Sequence, residues 1–180
     1  TDRDVMPNCA PNICIDDKYT EDIVTWPPKE KRAWRAEKDF TGDEAAAHMI
    51  EIEQKANGQK VKTFVANHWT LEYDLAYIGL QNKEMKEVLI DSVIKVSYVE
   101  NNRETKKAEL KKKLDAYDSI EKKASCFYSY FTSKKASKAD FAQELAVSLE
   151  KKYIDRGEDL QKVLPEYLVK AILYATKGDF

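Results

Sequence analysis

The residues Thr1-Asp2-Arg3-Asp4 place two carboxylates one position apart. In an extended strand side chains repeat every two residues, so Asp2 and Asp4 would point to one side and offer paired oxygen ligands to a hard cation such as Mg²⁺. The same triplet is also common in solvated surface loops. A third carboxylate, Glu72, falls in the first turn of a predicted helix that directly follows a predicted strand over residues 60–65. If that strand neighbours one carrying Asp2 and Asp4, the three carboxylates converge, with Thr70 beside them as a neutral oxygen ligand or a donor. A helix-start glutamate has a second explanation, because it complements the helix dipole by about 0.3–1 kcal/mol.

These residues need elements to position them. Thr41-Gly42-Asp43-Glu44 has capping-box spacing, and an alanine-rich helix follows through Ala56, ended by Asn57-Gly58. Residues 60–65 are rich in β-branched side chains and read as a short strand; Thr70 then caps a helix over residues 71–78, stopped by Gly79. Strand, turn and capped helix form the βα half of a parallel α/β unit. Further on, residues 85–99 and 104–131 carry apolar positions at helical spacing. Ser137 with Asp140 caps a helix over residues 138–153, broken at Gly157, and Pro165 suits the first turn of a last helix to about Thr176. Residues 5–40, interrupted by Pro7, Pro11, Pro27 and Pro28, read as an irregular loop fastened by Trp26 and Trp34.

Composition narrows the class. A chain of 180 residues with 43% hydrophobic content can bury a core, and five Gly and five Pro argue against a turn-rich all-β fold. The charged fraction of 34% nearly cancels to −2, so net charge does not announce nucleic acid. Three cysteines do not form a disulfide framework, and Cys9 and Cys14 lack the partners of a zinc site, which fits a cytoplasmic location. No apolar run of spanning length indicates a membrane. The lysines within residues 104–123 could follow a nucleic-acid backbone, but Glu104, Glu109, Asp115, Asp118 and Glu121 interleave with them, as on an ordinary solvated helix. His48 and His68 read as surface or packing residues, with His68 close enough to the predicted site to touch substrate. Tyr128, Tyr130 and Phe131 read as core or interface aromatics.

Thr70-Leu71-Glu72-Tyr73-Asp74-Leu75, entered from Lys62-Thr63-Phe64-Val65 and preceded by the Thr-Asp-x-Asp opening, resembles the TOPRIM nuclease region of the OLD (overcoming lysogenisation defect) family of ATP-dependent endonucleases. Lys138-Ala139-Asp140-Phe141-Ala142 is similar to a late Lys-x-x-Phe-Ala helix start of that family, and Leu164-Pro165-Glu166-Tyr167 with Ala171-Ile172 to its C-terminal helix. The resemblance implies an α/β fold with a TOPRIM-type parallel sheet, whose first strand this chain lacks, and a mainly helical insertion. Its segments would be a core over residues 1–80, the insertion over 81–133 and returning helices over 134–180.

The function so implied is metal-dependent DNA hydrolysis with two Mg²⁺ or Mn²⁺ ions, in the setting of phage defence. Asp2, Asp4 and Glu72 would hold metal with Thr70 beside them, and Lys138 would reach the scissile phosphate, with Lys134 and Lys135 as competitors for that role. Partners would be DNA and an N-terminal ATPase region of the same protein, with homo-oligomers compatible. ATP would belong to that region alone, since no G-x-x-x-x-G-K-[ST] loop occurs here. The chain reads as a piece of a longer protein, lacking a glutamate-bearing strand upstream and therefore a poor nuclease by itself. The alternative is a catalytically incomplete helical module for dimerisation or partner docking.

Overall fold

The computed structural model describes residues 41–56, 62–157 and 159–177. Asp2, Asp4, the loop over residues 5–40, Cys9, Cys14 and Asn57-Gly58 lie outside these. The described residues are helical: α1 (Gly42–Ala56), α2 (Leu71–Gly79), α3 (Lys83–Ser97), α4 (Glu100–Asp115), α5 (Ile120–Thr132), α6 (Lys138–Leu149) and α7 (Glu166–Lys177). A π turn over Glu150–Ile154 extends α6, and a short 3-10 turn over Leu160–Lys162 precedes α7.

The expected parallel sheet is overturned, since no strand occurs among the described residues. Residues 62–66 have no ladder partner there, and a strand needs one to satisfy its N–H and C=O groups. Lys62 and Phe64 instead face α7. The Phe64 ring lies 5.8 Å from that of Tyr174, and the Lys62 ammonium sits 4.7 Å from the Tyr174 ring centre. β-Branched alternation reports a chain fit for a pleated surface, and it cannot supply the surface.

Local signals place most helix starts. The Glu44 N–H donates to the Thr41 hydroxyl, and the Glu44 carboxylate takes the Thr41 N–H at 3.1 Å, which closes the predicted capping box. Thr70, Asn82, Ser119 and Ser137 each accept backbone N–H groups at the starts of α2, α3, α5 and α6. The helical pattern over residues 104–131 is two helices, because the Ser119 hydroxyl accepts the Lys122 N–H and opens a new one. Pro165 precedes α7, its carbonyl accepting the N–H groups of Leu168 and Val169. Gly157 has φ +68°, the left-handed geometry that ends the α6 extension.

One core gathers side chains from Trp69 to Val163. Helix α3 lies at its centre, packed on α2, α4 and α6, and Met85, Leu89, Ile90 and Val93 are wholly buried. Helix α2 packs on α5, where the Trp69 and Tyr128 rings meet edge to face at 4.5 Å. Gly79 does not stop α2 by a left-handed turn, as it is the last helical residue and Leu80 continues in right-handed geometry. What it provides is clearance: a Cβ there would stand 2.5 Å from Leu89 Cδ1 and 2.8 Å from Met85 Cγ.

Candidate active site

The predicted site residues that the structure describes sit where the chain enters α2 and α6. Ahead of α2, the turn at Asn67-His68-Trp69 is closed by Asp74, whose carboxylate accepts their three backbone N–H groups at 2.7, 3.2 and 3.1 Å. Asp74 is buried, and burial pushes its carboxyl pKa up while the three donors work against that rise. Its role was not drawn from the sequence. The available signal was an aspartate in the first helical turn, behind a short polar segment whose N–H groups needed an acceptor.

Thr70 follows the turn, fully buried, and its hydroxyl accepts the Tyr73 N–H as the N-cap of α2. Glu72 then stands in the first turn of α2. Its Oε2 lies 2.8 Å from the Nζ of Lys138, the first residue of α6. The pair is unequal in setting: the glutamate side chain is 12% exposed and the lysine 48%. The Lys138 ammonium also faces the buried Tyr128 ring at 5.7 Å from its centre.

Electrostatics makes this lysine unusual. A helix N-terminus carries partial positive charge, which favours Glu72 at the start of α2 and disfavours Lys138 at the start of α6. Helix stability therefore gives no reason for a lysine there. A carboxylate and an aromatic face hold it. Lys134 and Lys135 are exposed on the turn before α6, and of the three lysines it is Lys138 that pairs with Glu72.

His68 stacks on Tyr77 with ring centres 3.9 Å apart, and the Tyr77 hydroxyl donates to the Glu121 carboxylate. His48 lies 3.6 Å from Glu51 on α1. Tyr128 and Phe131 are buried in the core and Tyr130 is half-buried. The lysines of α4 are largely matched: Lys107 pairs with Asp91, Lys111 with Glu87 and Lys106 with Glu109, while Asp115 takes Lys86 from α3. The pairs to Asp91, Glu87 and Lys86 tether α4 to α3, each for about 0–1 kcal/mol, and the Lys106–Glu109 pair lies within α4.

Metal chemistry needs more than these residues supply. Among the described residues no three acidic, imidazole or thiol side chains gather as a cation site. Glu72 offers one carboxylate, with an oxygen already on Lys138, and the Thr70 hydroxyl is engaged as a cap. By themselves the described residues do not fit a two-ion centre. Asp2 and Asp4, the other predicted ligands, lie outside them.

Comparison with protein-family models, curated proteins and solved structures gives no match. Among the described residues no helix is long and apolar enough to cross a membrane.

Proposed function

We propose that this chain belongs to the nuclease part of a metal-dependent DNA endonuclease that hydrolyses phosphodiester bonds, as its likeness to the OLD family implies. The observation that carries the reading is the Glu72–Lys138 pair. The resemblance makes one a metal ligand and the other a phosphate contact, and the two lie 2.8 Å apart. The proposal concerns this chemistry and not the parallel sheet.

In this reading Lys138 acts on the phosphate. An ammonium at a helix start, backed by a carboxylate, presents a point charge that offsets the negative charge building on phosphate oxygens as the bond to the leaving oxygen breaks. Glu72 holds the ammonium in place and is an oxygen donor on the same spot. Mg²⁺ or Mn²⁺, when bound, supplies water activation and charge neutralisation in enzymes of this class. The resemblance would have Asp2 and Asp4 join Glu72 in holding such an ion.

The test is cleavage of supercoiled plasmid by the full-length protein. Asp4→Ala and Glu72→Ala should each abolish Mg²⁺-dependent cleavage while the circular dichroism spectrum is retained. Wild-type cleavage by both variants would remove the assignment.

The docking-module reading has one observation in its favour. No residue of α7 is fully buried, and Tyr167, Leu168 and Ala171 line an open apolar cleft of about 440 Å³ with Phe64 and Leu71. A stable dimer in sedimentation, lost on Leu168→Asp, together with unaltered cleavage in the Glu72 variant, would favour it.

A further inference from the structure

The aromatic ring beneath the Lys138 ammonium is itself held by other rings. Tyr128 is buried on α5, and the wholly buried Trp69 meets it edge to face at 4.5 Å. Tyr73 of α2, also wholly buried, adds a second edge-to-face contact at 6.4 Å, and Phe131, one turn along α5, a tilted one at 6.0 Å. Trp69 is fixed in its turn, because its backbone N–H donates to the Asp74 carboxylate at 3.1 Å. The Tyr128 ring is thereby set at one angle.

Lys138 reaches this ring from α6. Its ammonium stands 5.7 Å from the ring centre, inside the roughly 6 Å over which the negative face of an aromatic ring attracts a cation. The Glu72 carboxylate takes the same ammonium at 2.8 Å. A half-exposed ion pair alone holds a lysine loosely, because its net gain is small and the four-carbon stem has many rotamers to lose. A ring face added to the carboxylate constrains the ammonium from a second direction. Residues 69–73 supply both the carboxylate and two of the three rings that steady Tyr128, so the entry into α2 sets both contacts.

Core packing by itself asks only for apolar volume at position 128. Leucine there would supply apolar volume and present no negative face to the lysine.

We infer that Tyr128 is a positioning residue, whose ring face holds the Lys138 ammonium against Glu72. That the held ammonium serves a phosphate rests on the nuclease reading; the hold itself does not. A misplacement of about 1 Å in an active site can cost about a hundredfold in rate, so a loosened ammonium should appear in turnover and not in metal affinity.

The test is proton–carbon NMR of the full-length protein with ¹³C-labelled lysine, the Lys138 signals being assigned by their absence in Lys138→Gln. The two Cε protons of Lys138 should lie upfield of ordinary lysine positions and apart from each other, because a fixed proton over a ring face is shielded. Tyr128→Phe should keep this pattern, and Tyr128→Leu should collapse it to the ordinary position. A trifluorinated phenylalanine in place of Tyr128 keeps the shape and drains the negative face, so it should bring the two protons together as well. Thermal melts identify a leucine variant that fails to fold, and the fluorinated one then decides. Ordinary Cε positions in the wild type, or a fluorinated variant that keeps the two protons apart, would overturn the inference.

In single-turnover plasmid cleavage at saturating metal, the fluorinated variant should be slower by about tenfold, with phenylalanine restoring most of the rate. A released Lys138 beside wild-type turnover would sink the positioning role and leave the nuclease standing. The expected NMR pattern beside wild-type cleavage in Glu72→Ala would sink the nuclease and leave the hold.

Discussion

The Lys138 ammonium and the Glu72 carboxylate meet at 2.8 Å, each from the first turn of its own helix, so the charge pair links the starts of α2 and α6. The glutamate suits its helix and the lysine opposes its own. Helix α6 therefore carries a residue that local stability would reject.

Replacing Lys138 tests what that residue is for. In the full-length protein Lys138→Ala should slow DNA cleavage by at least tenfold at saturating metal, while metal affinity changes little, because the ammonium acts mainly in the transition state. Lys138→Arg should restore only part of the rate, its flat fork differing from a point charge. Single-turnover cleavage alongside Mn²⁺ titration separates the two quantities. Lost metal affinity with unchanged saturated turnover would refute the assigned role.

Asp74 should matter for stability more than any exposed carboxylate. Removing it by Asp74→Ala leaves the N–H groups of Asn67, His68 and Trp69 without their acceptor. An orphaned buried donor costs about 1–3 kcal/mol, and about 3 kcal/mol is expected for the variant in urea unfolding. Amide exchange at residues 67–69 should accelerate before global unfolding does. A loss below about 1 kcal/mol would mean that water takes over the three donors.

Gly79→Ala sets two effects against each other. Alanine gains about 1 kcal/mol of helix propensity, yet its Cβ would fall 2.5 Å from Leu89 Cδ1 in the middle of the core. Overpacking typically costs about 1–3 kcal/mol, so a net loss is expected by thermal unfolding. Adding Leu89→Ala should cost less in the Gly79→Ala background than in wild type, which a double-mutant cycle reads directly.

Glu87 gives a pH dependence with a definite sign. Its hydrogen bond to Lys111, with Lys107 nearby, holds its carboxyl below the ordinary 4.5. A carboxylate with a lowered folded pKa contributes stability that is present above about 4.5 and lost as pH falls through the folded value. Glu87→Gln should therefore flatten the fall in stability below that pH in acid titration of the urea midpoint. With the side chain 37% exposed, solvent screening keeps the effect small. An unaltered acid limb would assign the fall to other carboxylates.

The sequence by itself determined the features whose partners lie within a few positions. Thr41 with Glu44, Thr70 with Tyr73 and Ser137 with Asp140 are capping contacts three residues apart, so residue type and spacing carry nearly all the information. Gly157 was legible for the same reason, since a left-handed residue is a local demand. Tertiary structure decided the rest. Residues 62–66 carry a strand's pattern, but a strand exists only where a second chain segment offers its hydrogen bonds, and here Lys62 and Phe64 pack on Tyr174 of α7. Gly79 looked like a stop signal and is a point of close approach, because Leu89 and Met85 arrive there only when α3 folds back on α2. Glu72 and Lys138 could each be singled out in the chain. Their meeting depends on the packing of α2 on α5 and of α3 on α2 and α6, a set of distant contacts that no local spacing encodes.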